Sequence, residues 1–304
     1  MLPVTTPPRI DLPPGSTDCH LHVFDPARFS FDMSRSYTPP AATATDLIEF
    51  QQKMRMHRVV LVQPSCYGFD NAAMLDAIAQ LSPAKARGIA VLDFERNDAT
   101  MLHGLHASGV RGVRLNFATQ KQTRWGNVRE QLAKAHRVIA PLGWSLQLHC
   151  QSDLIAELLP ELSRFECTLV LDHFAGLRAK DWDPRGSDWA AIRTLLNLGR
   201  TYIKLSAPYR ISDDARVPGV ERLAGALVSA APERMLWGSD WPHTGGSGVR
   251  ETSSQEIEPF RHVDAGTTLD LLADWAPTPE LRHRILVTNP AAVFGFDPLP
   301  ATAA

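Results

Sequence analysis

The stretch from residue 144 to residue 173, WSLQLHCQSDLIAELLPELSRFECTLVLDH, contains two short apolar runs on either side of a segment with helical composition. The runs Trp144–His149 and Thr168–His173 each end in a histidine. Between them, the apolar residues of Leu154–Phe165 recur at three- and four-residue spacing, which is typical of an amphipathic helix. A strand, a helix and a second strand in this order predict parallel strands joined by a crossover helix.

The same unit recurs along the chain, because short apolar runs alternate with segments of helical spacing. We predict helices at Ala44–Met56, Ala72–Gln80, Val128–Pro141, Leu154–Phe165, Trp189–Leu198 and Val220–Ala230. We predict eight strands at Asp18–Phe24, Arg58–Gln63, Arg87–Leu92, Gly109–Phe117, Trp144–His149, Thr168–His173, Tyr202–Ser206 and Met235–Asp240.

The strand count favours a closed barrel over an open, doubly wound sheet. No GxGxxG or GxxxxGK[ST] sequence follows any of the eight runs, and an open nucleotide-binding sheet would usually carry one. A length of 304 residues suits one barrel with insertions. The sequence therefore predicts an α/β protein with a single (β/α)8 TIM barrel over residues 1–304. A Pro-rich arm at residues 1–14 and a tail at residues 298–304 are expected to lie outside the barrel.

Composition and charge exclude several classes of protein. The formal net charge is −2, from 31 Lys and Arg against 33 Asp and Glu, so we expect no attraction to nucleic acid or to an anionic membrane. Residues 1–14 contain five prolines and lack the apolar run of a signal peptide, and no apolar stretch approaches the ~20 residues of a spanning helix. Four cysteines without a CxxC pair suit a reduced protein. We expect a cytoplasmic protein whose partner is a small molecule, and the sequence does not indicate its oligomeric state.

The polar residues that close the apolar runs are the candidates for an active site, because barrels of this type build the site at the carboxyl ends of their strands. His20 and His22 are two residues apart on the first strand, so both imidazoles should face the same side. We predict that both converge with His149, His173 and Asp240 at one mouth of the barrel. The other polar residues at strand ends are Gln63, Ser65, Arg114, Asn116, Asp172, Lys204, Ser206 and Arg210.

A resemblance to a known family rests on three of these sites. The His20-x-His22 pair, His173 and the segment Trp237–His243 (WGSDWPH) resemble the amidohydrolase-2 branch of the amidohydrolase superfamily, over roughly Thr17 to Phe296. Within this branch the chain looks most like the 2-pyrone-4,6-dicarboxylate lactonases of aromatic catabolism and related sugar-lactone hydrolases or isomerases. The resemblance implies that water attacks an ester carbonyl, with Asp240 as general base and with His20, His22 and His173 near the carbonyl oxygen.

The substrate implied by the resemblance is a small carboxylated lactone. Guanidinium groups pair with carboxylates through two parallel hydrogen bonds, so several of them around one pocket suit a di- or polycarboxylate. We therefore predict a lactonase that opens a lactone such as 2-pyrone-4,6-dicarboxylate. The predicted substrate-binding residues are Tyr37, Ser65, Arg114, Arg124, His149, Arg210 and His243.

Two alternatives within enzymes remain open, and so does the question of a metal. A sugar-acid lactone hydrolase or isomerase would use the same Asp240 and histidines, and a non-oxidative decarboxylase of the same branch would need a metal. In the superfamily that the chain resembles, a binuclear site needs a bridging Lys or acidic residue at or near the end of strand four, where this chain has Arg114 and Asn116. We expect no cofactor. The alternative is one divalent ion such as Zn, for which the candidate ligands are His20, His22, His149, His173 and Asp240. A barrel without enzymatic activity is disfavoured by this intact set of ionisable groups.

Overall fold

The structure is a computed structural model that describes residues 1–96, 98–118, 128–212, 218–245 and 255–297. The predicted Arg124 and the predicted tail at residues 298–304 lie outside the described residues. Eight strands form one sheet in which each strand pairs in parallel with the next along the chain. The strands are β1 (Thr17–Leu21), β2 (Arg58–Val62), β3 (Ala86–Ala90), β4 (Val110–Asn116), β5 (Ser145–His149), β6 (Leu169–Leu171), β7 (Thr201–Ser206) and β8 (Met235–Gly238).

The sheet closes between its first and last strands, at the carboxyl end of β1 and just beyond the carboxyl end of β8. The backbone N–H of Asp240 donates to the carbonyl of His20 at 2.8 Å, and the N–H of His22 donates to the carbonyl of Trp241 at 2.8 Å. Leu21 and Trp241 also form a parallel bridge. The predicted (β/α)8 barrel is therefore confirmed, and its closure brings the first histidine pair beside Asp240.

The helices surround the barrel as the spacing of apolar residues predicts. Helix α1 begins with a capping box, in which Thr43 and Asp46 each accept a hydrogen bond from the other's backbone N–H. The helices are α1 (Ala44–Met54), α2 (Ala72–Leu81), α3 (Ala99–Ala107), α4 (Val128–Ile139), α5 (Ser152–Glu157), α6 (Leu159–Leu162), α7 (Ser187–Asn197), α8 (Pro218–Ala230), α9 (Ala265–Asp270), α10 (Leu272–Trp275), α11 (Pro279–His283) and α12 (Asn289–Phe294).

One predicted helix, Leu154–Phe165, is wrong as a continuous element. The structure breaks it at Leu158 into α5 and α6. Pro160 stands in the first turn of α6, where its missing N–H costs nothing, whereas inside a longer helix it would remove a hydrogen bond. The proline therefore starts a new helix instead of continuing the previous one.

Alternation along β5 and β7 separates an apolar outer face from a polar inner face. On β5 and β7, Leu146, Leu148, Ile203 and Leu205 belong to the main apolar core, while the residues between them contact one another across the barrel. Strand β1 departs from regular pairing, because three residue steps from Asp18 to Leu21 oppose two steps on β2. This extra residue is a β-bulge, a feature that often re-aims a side chain beside an active site.

Chain ends cover other parts of the barrel. At the amino-terminal end of the strands, Arg87 donates to the carbonyls of Phe294 and Gly295, and its guanidinium stacks on Phe296. The arm at residues 1–14, all of them described, forms no helix or strand, and Thr6 donates to Asp264. The four cysteines are free thiols. Every helix in the described ranges is too short or too polar to cross a bilayer.

Candidate active site

The backbone around Asp240 is shaped by its contact with β1. A Cβ atom on Gly238 would lie 2.7 Å from the Cβ of His20, so only glycine allows the two strands to approach this closely. The N–H of Ser239 donates to the buried Asp18 carboxylate at 3.0 Å. Asp240 itself has a left-handed backbone with φ of 63°, a strained conformation for a residue with a Cβ and one often found at functional sites. The sequence WGSD therefore turns the Asp240 side chain into the barrel mouth.

The two carboxylate oxygens of Asp240 have different surroundings. Oδ2 accepts hydrogen bonds from the Tyr209 hydroxyl at 2.6 Å and from Arg210 Nε at 2.8 Å. Oδ1 lies 3.5 Å from His20 Nε2, 3.5 Å from His22 Nε2 and 4.0 Å from His173 Nε2. Within the described part of the chain, Oδ1 has no hydrogen-bond donor. One oxygen is thus anchored, and the other faces three imidazoles.

The tautomer of His22 follows from its hydrogen bond to the backbone. Its Nδ1 lies 2.7 Å from the carbonyl oxygen of Val62, which can only accept, so the imidazole proton is on Nδ1. In the neutral ring Nε2 then carries a lone pair directed at the same region as Asp240 Oδ1. Two acceptors that face each other require a proton donor or a cation between them, and an attacking water is such a donor.

A buried polar network supports His20 from behind. Asp172 Oδ1 lies 3.2 Å from His20 Nδ1 and 3.4 Å from the ammonium of Lys204. Lys204 Nζ also donates to Gln147 Oε1 at 2.7 Å. Arg114 Nε donates to Asp172 Oδ2 at 3.0 Å. Buried charges are tolerated when paired and hydrogen-bonded, and this network joins β4, β5, β6 and β7 under the site.

The charges of the network and the site set the protonation of their acids. Burial alone would raise the pKa of Asp240, but the guanidinium of Arg210 holds that pKa well below its usual value. Burial likewise opposes ionisation of Asp172, and His20, Lys204 and Arg114 together keep its pKa well below the usual value. Both carboxylates are therefore ionised at neutral pH.

Four histidines of the site are driven towards their neutral form. Burial lowers the pKa of His20 to about 3 and the pKa of His243 to about 4. Burial also takes the pKa of His173 well below its usual value, and burial together with the nearby Arg114 does the same for His149. Neutral imidazoles can accept a proton, donate one hydrogen bond or coordinate a metal.

A cavity of about 370 Å³ opens over Asp240. Its wall includes most of the predicted site residues, brought from seven different strand ends. Arg114 donates to His149 Nδ1 at 3.0 Å, and Arg210 is bound to Asp240. His243 is fully buried beside Tyr209, whose hydroxyl lies 3.3 Å from His243 Nδ1. The residues around the cavity are His22, Tyr37, Pro64, Ser65, Arg114, Asn116, His149, His173, Arg210, Asp240, Thr244 and Gly245.

Comparison with known proteins identifies the family that carries this arrangement. The family model described as Amidohydrolase matches residues 17–296. The chain belongs to the amidohydrolase family. The resemblance drawn from His20, His22, His173 and the WGSDWPH segment is confirmed.

Relatives of this amidohydrolase include hydrolases of two lactones. The chain is 34% identical to a 4-sulfomuconolactone hydrolase of Rhizobium radiobacter, over 96% of this chain and 93% of that one. It is 32% identical to a 2-pyrone-4,6-dicarboxylate hydrolase of Comamonas testosteroni, over 94% of this chain and 92% of that one. A solved structure from Acinetobacter baumannii, described as a probable 2-pyrone-4,6-dicarboxylic acid hydrolase with citric acid bound, is 26% identical with a TM-score of 0.73, over 93% of this chain and 100% of that one.

The donor atoms of the amidohydrolase site fit one divalent ion. Atoms of His20, His22 and Asp240 all lie within 4.8 Å of one another, and those of His20, Asp172 and His173 form a second such group. Ligands about 2.0–2.1 Å from a tetrahedral zinc are about 3.4 Å apart, close to the separations of 3.5 Å around Asp240 Oδ1. His149, an alternative ligand in the sequence-based prediction, belongs to neither group of described residues.

Sequence reasoning did not assign roles to three residues that the amidohydrolase structure places at the site. Tyr209 donates to Asp240, and Lys204 and Asp172 form the network behind His20. Lys204 has a visible signal, because a lysine within the apolar strand TYIKLS is rarely buried without a partner. Tyr209 has no such signal, because it follows β7 in a short turn and reaches Asp240 only in the folded chain.

Proposed function

We propose that this amidohydrolase hydrolyses a small carboxylated lactone of the 2-pyrone-4,6-dicarboxylate type. The observation that carries the proposal is the ionised carboxylate of Asp240, whose Oδ1 accepts no hydrogen bond from the described residues. This carboxylate borders a cavity whose wall also contains Arg114 and Arg210. Further support comes from the two relatives named for lactone hydrolysis and from the citric acid, a polycarboxylate, bound in the Acinetobacter baumannii protein.

In the proposed reaction Asp240 Oδ1 takes a proton from water while the water oxygen forms a bond to the lactone carbonyl carbon. The hydrogen bonds from Tyr209 and Arg210 to Oδ2 keep the carboxylate oriented. The ring C–O bond of the tetrahedral intermediate then breaks, its electron pair stays on the former ring oxygen, and the proton held by Asp240 passes to that oxygen. Water is thereby added across the ester bond without any other reactant.

The hydrogen bonds of the histidines distinguish their proposed roles. His22 presents a lone pair at Nε2, so it receives a hydrogen bond from the attacking water. His173 Nδ1 lies 2.9 Å from the Ser206 hydroxyl. When that hydroxyl donates to Nδ1, His173 Nε2 carries a hydrogen and stabilises the oxyanion. If a divalent ion is bound, His20, His22 and Asp240 would hold it, and it would supply a Lewis acid for the carbonyl.

The proposed function is tested by offering the purified chain a set of lactones. Loss of pyrone absorbance, product analysis and release of carbon dioxide are followed for 2-pyrone-4,6-dicarboxylate, an uncharged 2-pyrone and an aldonolactone. We expect hydrolysis of the dicarboxylate to be the fastest, with no carbon dioxide released. Release of carbon dioxide without ring opening would indicate a decarboxylase, and turnover of the aldonolactone alone would indicate a sugar-lactone enzyme.

Arg114 is proposed to bind a substrate carboxylate. Among the described residues, its Nε donates to Asp172 and its Nη2 donates to His149. A guanidinium has five N–H donors, so further donors remain for a ligand. Arg114→Met should raise KM for the dicarboxylate by about 10–100-fold, the range for losing a charge-assisted hydrogen bond, and should raise KM less for an uncharged 2-pyrone. Arg111→Met is the matched control, because Arg111 lies on the same strand and donates to the carbonyls of His106 and Val110. An equal rise for both lactones would make Arg114 structural.

Arg210 is proposed to contact the substrate and to anchor the base as well. Tyr37 and Ser65, which stand in the same cavity wall, are proposed to donate hydroxyl hydrogen bonds to the ligand. His149 and His243 stay predicted substrate-binding residues, His149 at the cavity wall and His243 behind it. Arg124, outside the described residues, also stays a prediction.

The pH profile of kcat/KM should reflect the pKa values of the site. The pKa of Asp240 is held well below its usual value by Arg210 against the effect of burial, so the base stays ionised at neutral and weakly acidic pH. The pKa values of about 3 for His20 and about 4 for His243, both lowered mainly by burial, leave these rings neutral at higher pH. Initial rates should therefore change less than about threefold between pH 5.5 and 8 and fall at more acidic pH. A tenfold change centred near pH 6.5 would show that an ordinary histidine controls the reaction.

The prediction that no metal is required can be tested on the same preparation. Two buried carboxylates, Asp172 and Asp240, are already matched by the three buried cations Lys204, Arg114 and Arg210. Because each carboxylate is already paired with at least one cation, kcat after dialysis against a chelator should stay within about twofold of its starting value, with elemental analysis confirming removal. Loss of activity that Zn²⁺ restores would show that the donors around Asp240 Oδ1 hold a functional ion.

A further inference from the structure

Lys204 contacts the edge of the His20 ring that is turned away from Asp240. The side chain of Lys204 is fully buried on β7, and its ammonium lies 3.2 Å from His20 Nδ1. The same ammonium donates to Gln147 Oε1 at 2.7 Å and lies 3.4 Å from Asp172 Oδ1. Lysine is rarely buried without a partner, and here one of its neighbours is a ring nitrogen of the candidate active site.

The hydrogen bonds around Lys204 have a fixed direction. An ammonium group can only donate, so each of its hydrogen-bond partners must accept. The amide of Gln147 is oriented accordingly, because its Oε1 accepts from Lys204 while its Nε2 donates to Asp172 Oδ2 at 3.1 Å. His20 Nδ1 therefore accepts from Lys204 as well, which requires a lone pair on Nδ1. The neutral ring carries a hydrogen on one nitrogen only, so that hydrogen is on Nε2.

The carboxylate of Asp172 is the competing neighbour of His20 Nδ1. Its Oδ1 lies 3.2 Å from Nδ1 and would favour a hydrogen there. Asp172 Oδ1, however, accepts no hydrogen bond from the residues that the structure describes, so it is poorly placed for an N–H donor on the ring. A hydrogen on Nδ1 would also face the hydrogens of the Lys204 ammonium. With the hydrogen on Nε2, the same ammonium lies close to both acceptors and offsets their repulsion.

The opposite edge of the His20 ring faces the reacting groups. His20 Nε2 is buried 3.5 Å from Asp240 Oδ1 and has no hydrogen-bond partner in the described part of the chain. The rings of His20 and His173 lie side by side, with their centroids 4.7 Å apart. A buried N–H without a partner costs free energy, so a donor in this position indicates that an acceptor on the ligand completes the site. The carbonyl oxygen of a lactone is such an acceptor.

We propose that Lys204 is a positioning residue that keeps the hydrogen of His20 on Nε2. The inference rests on the proposed function and deepens it by dividing the site into donors and acceptors. His20 and His173 donate to the oxyanion, while Asp240 and His22 accept the two hydrogens of the attacking water. A nitrogen that carries a hydrogen has no lone pair for a metal, so Lys204 also disfavours an ion at His20 Nε2.

The test is 15N NMR of the histidine rings in the labelled, purified chain, with its metal content measured on the same sample. The His20 signals are identified by their loss in His20→Asn, and couplings to the ring hydrogens distinguish Nε2 from Nδ1. We expect a hydrogen on Nε2 and a lone pair on Nδ1. A hydrogen on Nδ1, or a metal ion on Nε2, would overturn the inference and leave the proposed lactonase standing. The expected spectrum from a chain that hydrolyses no lactone would refute the proposed function and the oxyanion role of His20, but not the tautomer.

Lys204→Met should move the hydrogen of His20 to Nδ1, because the carboxylate of Asp172 is then the remaining polar neighbour of that nitrogen among the described residues. Loss of one oxyanion donor should lower kcat by about 10²–10³-fold, with KM changed by less than about threefold. The lone pair gained at Nε2 should tighten binding of Zn²⁺, measured by calorimetry, by about 10–100-fold, the range for residues that orient a metal-binding histidine.

Arg114→Met is the control for loss of a buried cation. Arg114 binds the same carboxylate of Asp172 but contacts His149 instead of His20, so this variant should leave the hydrogen of His20 on Nε2. Reversal of the His20 tautomer in both variants, or in neither, would overturn the role of Lys204. If Lys204→Met does not fold, the spectrum of the unmodified chain still decides, because a hydrogen on Nδ1 refutes the inference by itself.

Discussion

Asp240→Asn should lower kcat for the best lactone substrate by roughly 10²–10⁴-fold, the range for losing general base catalysis. The asparagine oxygen can keep the hydrogen bonds that Tyr209 and Arg210 make to Oδ2. The amide NH2 then replaces Oδ1 and can donate to His22 Nε2, so the fold has no newly unsatisfied group. Binding and chemistry should separate, with Kd for the substrate changed far less than kcat.

The measurement is steady-state kinetics together with calorimetric binding of the unreacted lactone to Asp240→Asn. Asp76→Asn is the control for a change of charge, since Asp76 pairs with Arg28 on the surface and lies outside the mouth. Turnover close to that of the wild type would place the base elsewhere, with His243 or a metal-bound hydroxide as the next candidates.

Asp172→Ala should destabilise the protein by about 3–5 kcal/mol, the range for breaking a buried ion pair by removing one partner. The substitution leaves the Lys204 ammonium, which is fully buried, and the Arg114 guanidinium without their carboxylate. Thermal unfolding should shift down on the order of 5–10 °C. Asp188→Ala on α7 is the matched control, because Asp188 is hydrogen-bonded only to serines among the described residues.

A double variant separates loss of charge pairing from loss of packing. Asp172→Leu combined with Lys204→Met replaces both charges with apolar groups and should be more stable than Asp172→Ala, since buried pairs can be exchanged for well-packed hydrophobic residues. Its kcat should still fall, because His20 then loses both neighbours of Nδ1, the Asp172 carboxylate and the Lys204 ammonium. If Asp172→Ala unfolds at the wild-type temperature, the network contributes no net stability.

The sequence by itself determined the fold and the place of the site. Eight apolar runs separated by segments of helical spacing predict a (β/α)8 barrel. The spacing of apolar residues in a strand or a helix indicates which of its side chains can be buried. Polar groups at the ends of those runs, such as His20, His149 and Asp240, then had to lie at one mouth, since parallel strands bring their carboxyl ends together. The break at Pro160 was visible in the sequence but was outweighed by the apolar spacing around it.

Only the tertiary structure decided how these groups meet. The anchoring of Asp240 by Tyr209 and Arg210, the tautomer of His22 and the pairing of Lys204 with Asp172 are contacts between residues about 30 to 40 positions apart. The alternation of residues along a strand predicts on which side of the strand each residue lies. The partner of that residue depends on the stagger of the strands, on the bulge in β1 and on the left-handed turn at Asp240. Closure of the barrel sets all three at once, because it joins β8 to a strand more than 200 residues earlier in the chain.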